Sequence, residues 1–310
     1  MKEVAITQGQ NRQRNIERAL NMIDQEISTL IQDHTPCRIL IKPNMVRTNM
    51  PLAATHADTL LAILKYLQRY DQHINQIAIG EGPAGSPAAQ GYQTYEYYNL
   101  QKTYAVDFID LNTEPYHMIS VDAIDGGTNE IRIAQTPMNF DLSISVTLPK
   151  THETVIYSGV IKNFLMGIVI WDSIDDKIKM HGFSNRKDWA HYYPAAIKQL
   201  HKNLVTLLRT YTPDIGIIDG FVAMEGNGPV AGSAKPLGIA VSGTDPVAVD
   251  AVTANILGIN PLDIGYLYYA NQEGLGQGDI SQIQTIGTPI EAVFNPWKLH
   301  QNIELEWNWR

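Results

Sequence analysis

The chain has almost no cysteine, no long apolar run and no excess of positive charge. Cys37 is the only thiol among 310 residues, which excludes a disulfide framework, an all-cysteine zinc site and the four thiolates of an iron–sulfur cluster. A reducing compartment suits such a chain, so a cytoplasmic location is expected. No stretch approaches the roughly 20 apolar residues of a membrane span, and the opening MKEVAITQGQNRQRNIERAL holds no apolar segment of signal-peptide length. No membrane association is expected. The balance of 32 acidic against 23 basic residues gives a net charge of -9, which repels phosphate backbones and argues against nucleic acid as a partner.

What is present is ample core material. Apolar residues make up 44% of the chain, enough for one large unit over residues 1–310, or for two intertwined lobes with a weak boundary near 110–135. Residues 4–7 read as a strand, and residues 15–31 place Ile16, Ala19, Leu20, Ile23, Ile27 and Leu30 at helical spacing. Strands at 38–41, 76–79 and 106–110 then alternate with helices at 58–70 and 95–104. That alternation predicts an α/β fold, with a mainly parallel sheet flanked by helices. Between 118 and 133 the pattern changes: SVDAI and EIRIA flank Asp125-Gly126-Gly127-Thr128, which predicts a small antiparallel hairpin annex. A strongly apolar strand at 141–148, a helix at 189–208, strands at 215–218 and 237–241 and a helix opened by Thr244-Asp245-Pro246 complete the pattern.

Ligands of open α/β sheets bind outside the carboxyl ends of the strands, so polar residues directly after apolar strands are the candidates. Lys42-Pro43-Asn44 follows RILI, with Thr55 and His56 ahead of the next helix as anion-binding groups. Glu81 sits in Gly80-Glu81-Gly82-Pro83-Ala84-Gly85, which matches neither a Walker loop nor GxGxxG. Lys150-Thr151-His152 ends the strand at 141–148, and Lys162-Asn163 lies in apolar surroundings, where burial disfavours an ammonium and prepares it to hold an anion or move a proton. Asp219, and Glu225 in Met224-Glu225-Gly226-Asn227-Gly228-Pro229, read as glycine-bounded acids that suit a divalent metal or proton transfer. Asp245 reads first as a helix cap. Asp250, inside an apolar helix, calls for a buried lysine or histidine partner. His181 is a further acid or base, ranked behind His56 and His152. The aromatic residues of NPWKLH and ELEWNWR read as packing.

In this order, IKPN, THADTLLAI, IGEGP, LPKTH, GVIKNFLMG, IIDGFVAMEGNGP and GTDPVAVDAV resemble the family called domain of unknown function 362, over about residues 38–276. Many members of that family carry a ferredoxin-like cysteine segment. This chain departs from them with Cys37 alone, so no iron–sulfur cluster of its own is expected. The resemblance implies a shared site drawn from Lys42, Asn44, Thr55, His56, Glu81, Lys150, His152, Lys162, Asn163, Asp219, Glu225 and Asp245.

The leading expectation is an enzyme of isomerase or lyase type acting on a small anionic metabolite. Lys42, Lys150 and Lys162 hold the anion, and His152 or Glu81, with His56 as a further acid or base, moves a proton. Asn44, Thr55, Asn163, Gly226 and Gly228 line the substrate site. A second expectation gives Asp219, Glu225 and Asp245 a divalent metal such as magnesium. The alternatives are an oxidoreductase dependent on a partner's electrons, and a non-catalytic metabolite-binding or assembly protein. The oligomeric state is open, with a homodimer as one expectation.

Overall fold

A computed structural model describes residues 3–172, 176–184 and 189–310, with side chains left out at 189–192. The chain opens with strand β1 (Glu3–Gln8), then helices α1 (Arg12–Met22) and α2 (Asp24–Asp33). The sequence periodicity suggested a single helix here. The chain breaks at Ile23, whose backbone leaves the helical region, and one apolar stripe continues across the break because Ile16, Leu20, Ile23, Ile27 and Ile31 are all buried. Strand β2 (Cys37–Lys42) and helix α3 (Ala57–Leu67) follow, then β3 (Ile74–Glu81), α4 (Ala88–Thr94) and β4 (Asp107–Asp110). The aromatic stretch expected to be a helix at 95–104 is a 3-10 turn, Tyr97–Lys102, entered through Glu96 in a left-handed conformation. The hairpin forms as expected, from β5 (Tyr116–Asp122) and β6 (Thr128–Ala134).

The second half builds β7 (Leu142–Thr147), the short strands β8 (Lys150–His152) and β9 (Ile156–Ser158), and helices α5 (Val160–Ile168), α6 (Asp176–Lys179) and α7 (Trp189–Leu208). Strands β10 (Ile215–Asn227) and β11 (Ala231–Gly243), helices α8 (Pro246–Ile256) and α9 (Gly265–Gln272), and strand β12 (Gln284–Gly287) complete the core elements. Residues 219–229 fall between the strands expected at 215–218 and 237–241. They are mostly strand, because β10 runs past its place in the main sheet and keeps pairing with β11 beyond a register shift between Gly220 and Val222.

The main sheet has the order β12-β1-β11-β10-β7-β2-β3-β4. From β10 to β4 every neighbouring pair is parallel, and β11 is antiparallel to both its neighbours. Strand β2 carries the apolar run ILI, and β7 alternates Leu142, Ile144 and Val146 with Ser143, Ser145 and Thr147, yet all six β7 residues are buried because helices cover both faces of a parallel sheet. Side chains of α1, α2 and α3 join one apolar core, and those of α5, α7, α8 and α9 join another on the opposite side. The chain leaves β2 through α3 toward β3 and leaves β7 through α5 toward β10, so the connections diverge on either side of the β2–β7 pair. Such a switch point opens a crevice at the carboxyl ends of the strands, and Lys42 and Thr147 end these two strands. Among the described residues no helix is long and apolar enough to cross a membrane.

Candidate active site

The crevice holds a partly open cavity of about 190 Å³. Strand ends bring Lys42, Glu81 and Lys150 to it, the turn after β2 brings Asn44, and the first turn of α5 brings Lys162 and Asn163. His152, Glu153, Lys177 and His181 complete its polar lining.

Lys42 is fully buried and every proton of its ammonium is committed. It donates to Glu81 Oε2 at 2.7 Å, to the Pro43 carbonyl at 2.7 Å and to Asn163 Oδ1 at 3.0 Å. Burial pushes the Lys42 ammonium down and the Glu81 carboxyl up, and their mutual attraction opposes both shifts. The other Glu81 oxygen accepts from Gly82 N–H at 2.9 Å. In this arrangement Lys42 has no proton left over for an anion, and Glu81 is engaged by two donors. The pair ties the ends of β2 and β3 together at the cavity wall. Gly167 of α5 permits it, since a Cβ there would lie 1.8 Å from Lys42 Cε.

Asn163 orders this wall. Its amide nitrogen donates to Ser145 Oγ at 3.0 Å and to the Lys42 and Val146 carbonyls at 3.3 Å, which fixes its oxygen as the acceptor for Lys42 and for Asn44 Nδ2 at 3.0 Å. Asn44 must then present its own oxygen outward, where Lys150 Nζ donates to it at 2.7 Å. Thr55 stands behind Asn44, accepting its backbone N–H at 2.8 Å and donating to the Val146 carbonyl.

Lys150 and Lys162 differ in their engagement. Lys150 also donates, at 3.3 Å each, to Thr147 Oγ1 and the Leu148 carbonyl. Burial, then the charges of Lys162 and Lys42, push its ammonium down to about 7. Lys162 is 9% exposed, lines the cavity, and among the described residues finds no acceptor for its Nζ. Burial lowers it to about 8, with Glu153 opposing. His152 accepts Thr154 N–H on Nδ1 at 3.1 Å. Burial, reinforced by Lys162, holds its ring neutral, so its one proton sits on Nε2 and the ring is a donor.

Other expected residues lie elsewhere. His56 caps α3, accepting Asp58 N–H at 3.1 Å, and belongs to a separate surface depression with Tyr95 and Glu96. Asp219 accepts from Arg12 Nε and from Thr59 Oγ1 at 2.6 Å. Glu225 pairs with Lys235 at 3.3 Å, and Asp245 caps α8 by accepting from Val247 and Ala248 N–H at 3.0 Å each. The structure thus keeps the three acids proposed for a metal apart, and among the described residues no three His, Cys, Asp or Glu side chains gather as a metal-holding group. Gly226 and Gly228 back the site rather than line it. Thr151 Oγ1 donates to the Gly226 carbonyl at 2.8 Å, and a Cβ on Gly228 would lie 2.1 Å from the Thr151 carbonyl oxygen. The unexpected extension of β10 has this use: Met224 pairs with Lys150 and carries β8.

Among the described residues Asp250 has no lysine or histidine partner. It accepts from Val160 and Ile161 N–H at 2.7 and 3.1 Å, capping α5 from α8. His181, ranked behind His56, lies in the cavity, and His56 does not. Sequence reasoning passed over Gly167 and Lys177. Gly167 sits in the same GVIKNFLMG stretch as Lys162 and was within reach. Lys177, which donates to the Gly82 and Met166 carbonyls, has no local signal.

The sequence model of the family described as "Domain of unknown function (DUF362)" matches residues 39–255, and the chain belongs to that family. The thylakoid-associated protein sll1697 of Synechocystis sp. is 25% identical over 268 residues, covering 84% of this chain and 76% of that protein. The lactate racemase apoprotein from Thermoanaerobacterium thermosaccharolyticum is 14% identical, with a TM-score of 0.44 over 73% of this chain. The match spans 51% of that structure, about half its length.

Proposed function

We propose that this DUF362 member binds a small anionic metabolite in the crevice between β2 and β7 and moves a proton on it, as isomerases and lyases do. The observation that carries the reading is Lys162: a buried cation, open to the cavity, with no acceptor among the described residues. A buried charge is costly unless paired, and a bound anion is the partner such a group accepts. The cavity of about 190 Å³ falls below the roughly 300–1,000 Å³ of pockets for drug-sized ligands, which suits a short carboxylate rather than a nucleotide.

The roles follow from the bonding. Lys162 pairs with the carboxylate. Lys150, which ionises near neutrality, takes a proton from the carbon next to the carboxylate in its amine form and returns it as ammonium. The neutral His152 donates its Nε2 proton in a hydrogen bond to the oxygen on which charge gathers, the task of an oxyanion-hole donor. Asn44, held by Asn163 and Thr55, positions Lys150.

The test is a thermal-shift screen of lactate, pyruvate, malate and succinate, followed by proton NMR of carbon-bound deuterium uptake in D2O for any that bind. Binding lost in Lys162→Met, and exchange lost in Lys150→Met, support the assignment. Stabilisation or exchange by these acids that is the same in both variants as in the wild type would overturn it.

A further inference from the structure

The two cavity lysines are built for different tasks. An electrostatic anion pocket gains nothing from immobilising a lysine, yet Lys150 is clamped: Asn44 Oδ1 accepts from it at 2.7 Å, and Asn44 is fixed in turn by Asn163 at 3.0 Å and Thr55 at 2.8 Å. Lys162 reaches into the same cavity without any such clamp. A cation to pair with an acid therefore stands beside a nitrogen held at a defined position, with the neutral His152 donor in the same lining.

We infer that the ligand carries a carbonyl next to its carboxylate, a 2-oxo acid, and that Lys150 captures that carbonyl as an imine while Lys162 pairs with the carboxylate. This inference rests on reading the cavity as an anion site. When Lys150 sheds a proton, the short bond to Asn44 stays, and one of the two 3.3 Å contacts to Thr147 and Leu148 is surrendered, freeing the nitrogen lone pair. That pair forms the C–N bond as the carbonyl π electrons move to oxygen, where the His152 Nε2–H donates a hydrogen bond. The carbon–oxygen bond then breaks, and oxygen leaves as water with two protons that came from the ammonium. The sum is ammonium plus carbonyl giving iminium plus water. A lysine beside other cations and out of water is the setting in which an amine is nucleophilic near neutral pH, and the Lys162 and Lys42 charges both act on Lys150 in this direction. The iminium acidifies the C–H bonds on the carbon beyond the carbonyl; a Lys150 nitrogen held in the imine is not at the same time the base of the proton transfer proposed above, so on a 2-oxo acid capture takes the place of that role.

The experiment treats the full chain with pyruvate and sodium borohydride, which delivers hydride to an imine carbon and makes the link permanent, then locates the adduct by intact mass and peptide mapping. One reduced adduct per chain on Lys150 is expected, absent in Lys150→Met. Its yield should fall roughly tenfold or more in Lys162→Met, the loss of a charged hydrogen bond, and acetone, which lacks the carboxylate, should give little at equal concentration. Mapping on the unaltered sequence does not require either variant to fold. Adducts spread over exposed lysines, or none on Lys150, would overturn the imine. Thermal stabilisation by pyruvate that depends on Lys162 but leaves no adduct would overturn it while sparing the anion site, and absence of both would remove the two together.

Discussion

Lys42 Nζ and Glu81 Oε2 lie 2.7 Å apart, both side chains almost wholly out of solvent, at the ends of adjacent parallel strands. Breaking such a pair from one side leaves an uncompensated buried charge, at a cost of about 3–5 kcal/mol. Lys42→Met should destabilise the fold by about that much in urea titration, and Lys42→Met with Glu81→Gln should recover much of the loss. A double variant no better than the single one would show that the ion pair is not what the site loses.

Gly167→Ala places a methyl 1.8 Å from Lys42 Cε and 2.9 Å from Glu81 Oε1. Overpacking of this kind costs about 1–3 kcal/mol, and here it strikes the cavity wall. A lowered urea midpoint with weakened carboxylate binding is expected. An Ala variant as stable as the wild type would mean that α5 shifts freely, contrary to its tight seating.

Asp250 caps α5 from α8 through Val160 and Ile161 N–H. Burial pushes its carboxyl up to about 7, against those two donors. Asp250→Ala orphans both and should cost about 2 kcal/mol or more. Asp250→Asn, which keeps one acceptor oxygen, should cost less. Denaturant midpoints of the two variants measure the difference.

Lys150 ionises at about 7 in the fold and near 10.4 when unfolded. Across that interval the unfolded chain binds more protons at this group, so its contribution to stability rises with pH and is least favourable below about pH 7. The stability of the wild type relative to Lys150→Met should therefore climb between about pH 7 and about pH 9.5, read from paired urea midpoints. A constant difference would mean that Lys150 keeps its ordinary ionisation.

The site was partly legible because strand ends are local features. Lys42, Glu81 and Lys150 each follow an apolar run, and in a parallel sheet that is enough to send them to one edge. Lys162 and Asn163 stood out as polar residues in an apolar stretch. His56 and Asp219 satisfied the same local reading and lie elsewhere, because sequence does not say which way a side chain turns at a helix cap or along a strand that continues. The glycines of 220–232 read as loop because they weaken strand propensity, which pairing with β11 overrides.

The sequence by itself determined the α/β alternation, the hairpin, the cap at Asp245 and the set of strand-end polar residues, all of which depend on periodicity and neighbours within a few positions. Only the tertiary structure decided that Lys42 is spent on Glu81 and Asn163 while Lys162 is left open, and that Asp250 serves the backbone of another helix. Those outcomes rest on which donors and acceptors meet across 39 to 121 residues of chain. A hydrogen bond between distant side chains, or to a helix's backbone amides, leaves no periodic trace in the sequence.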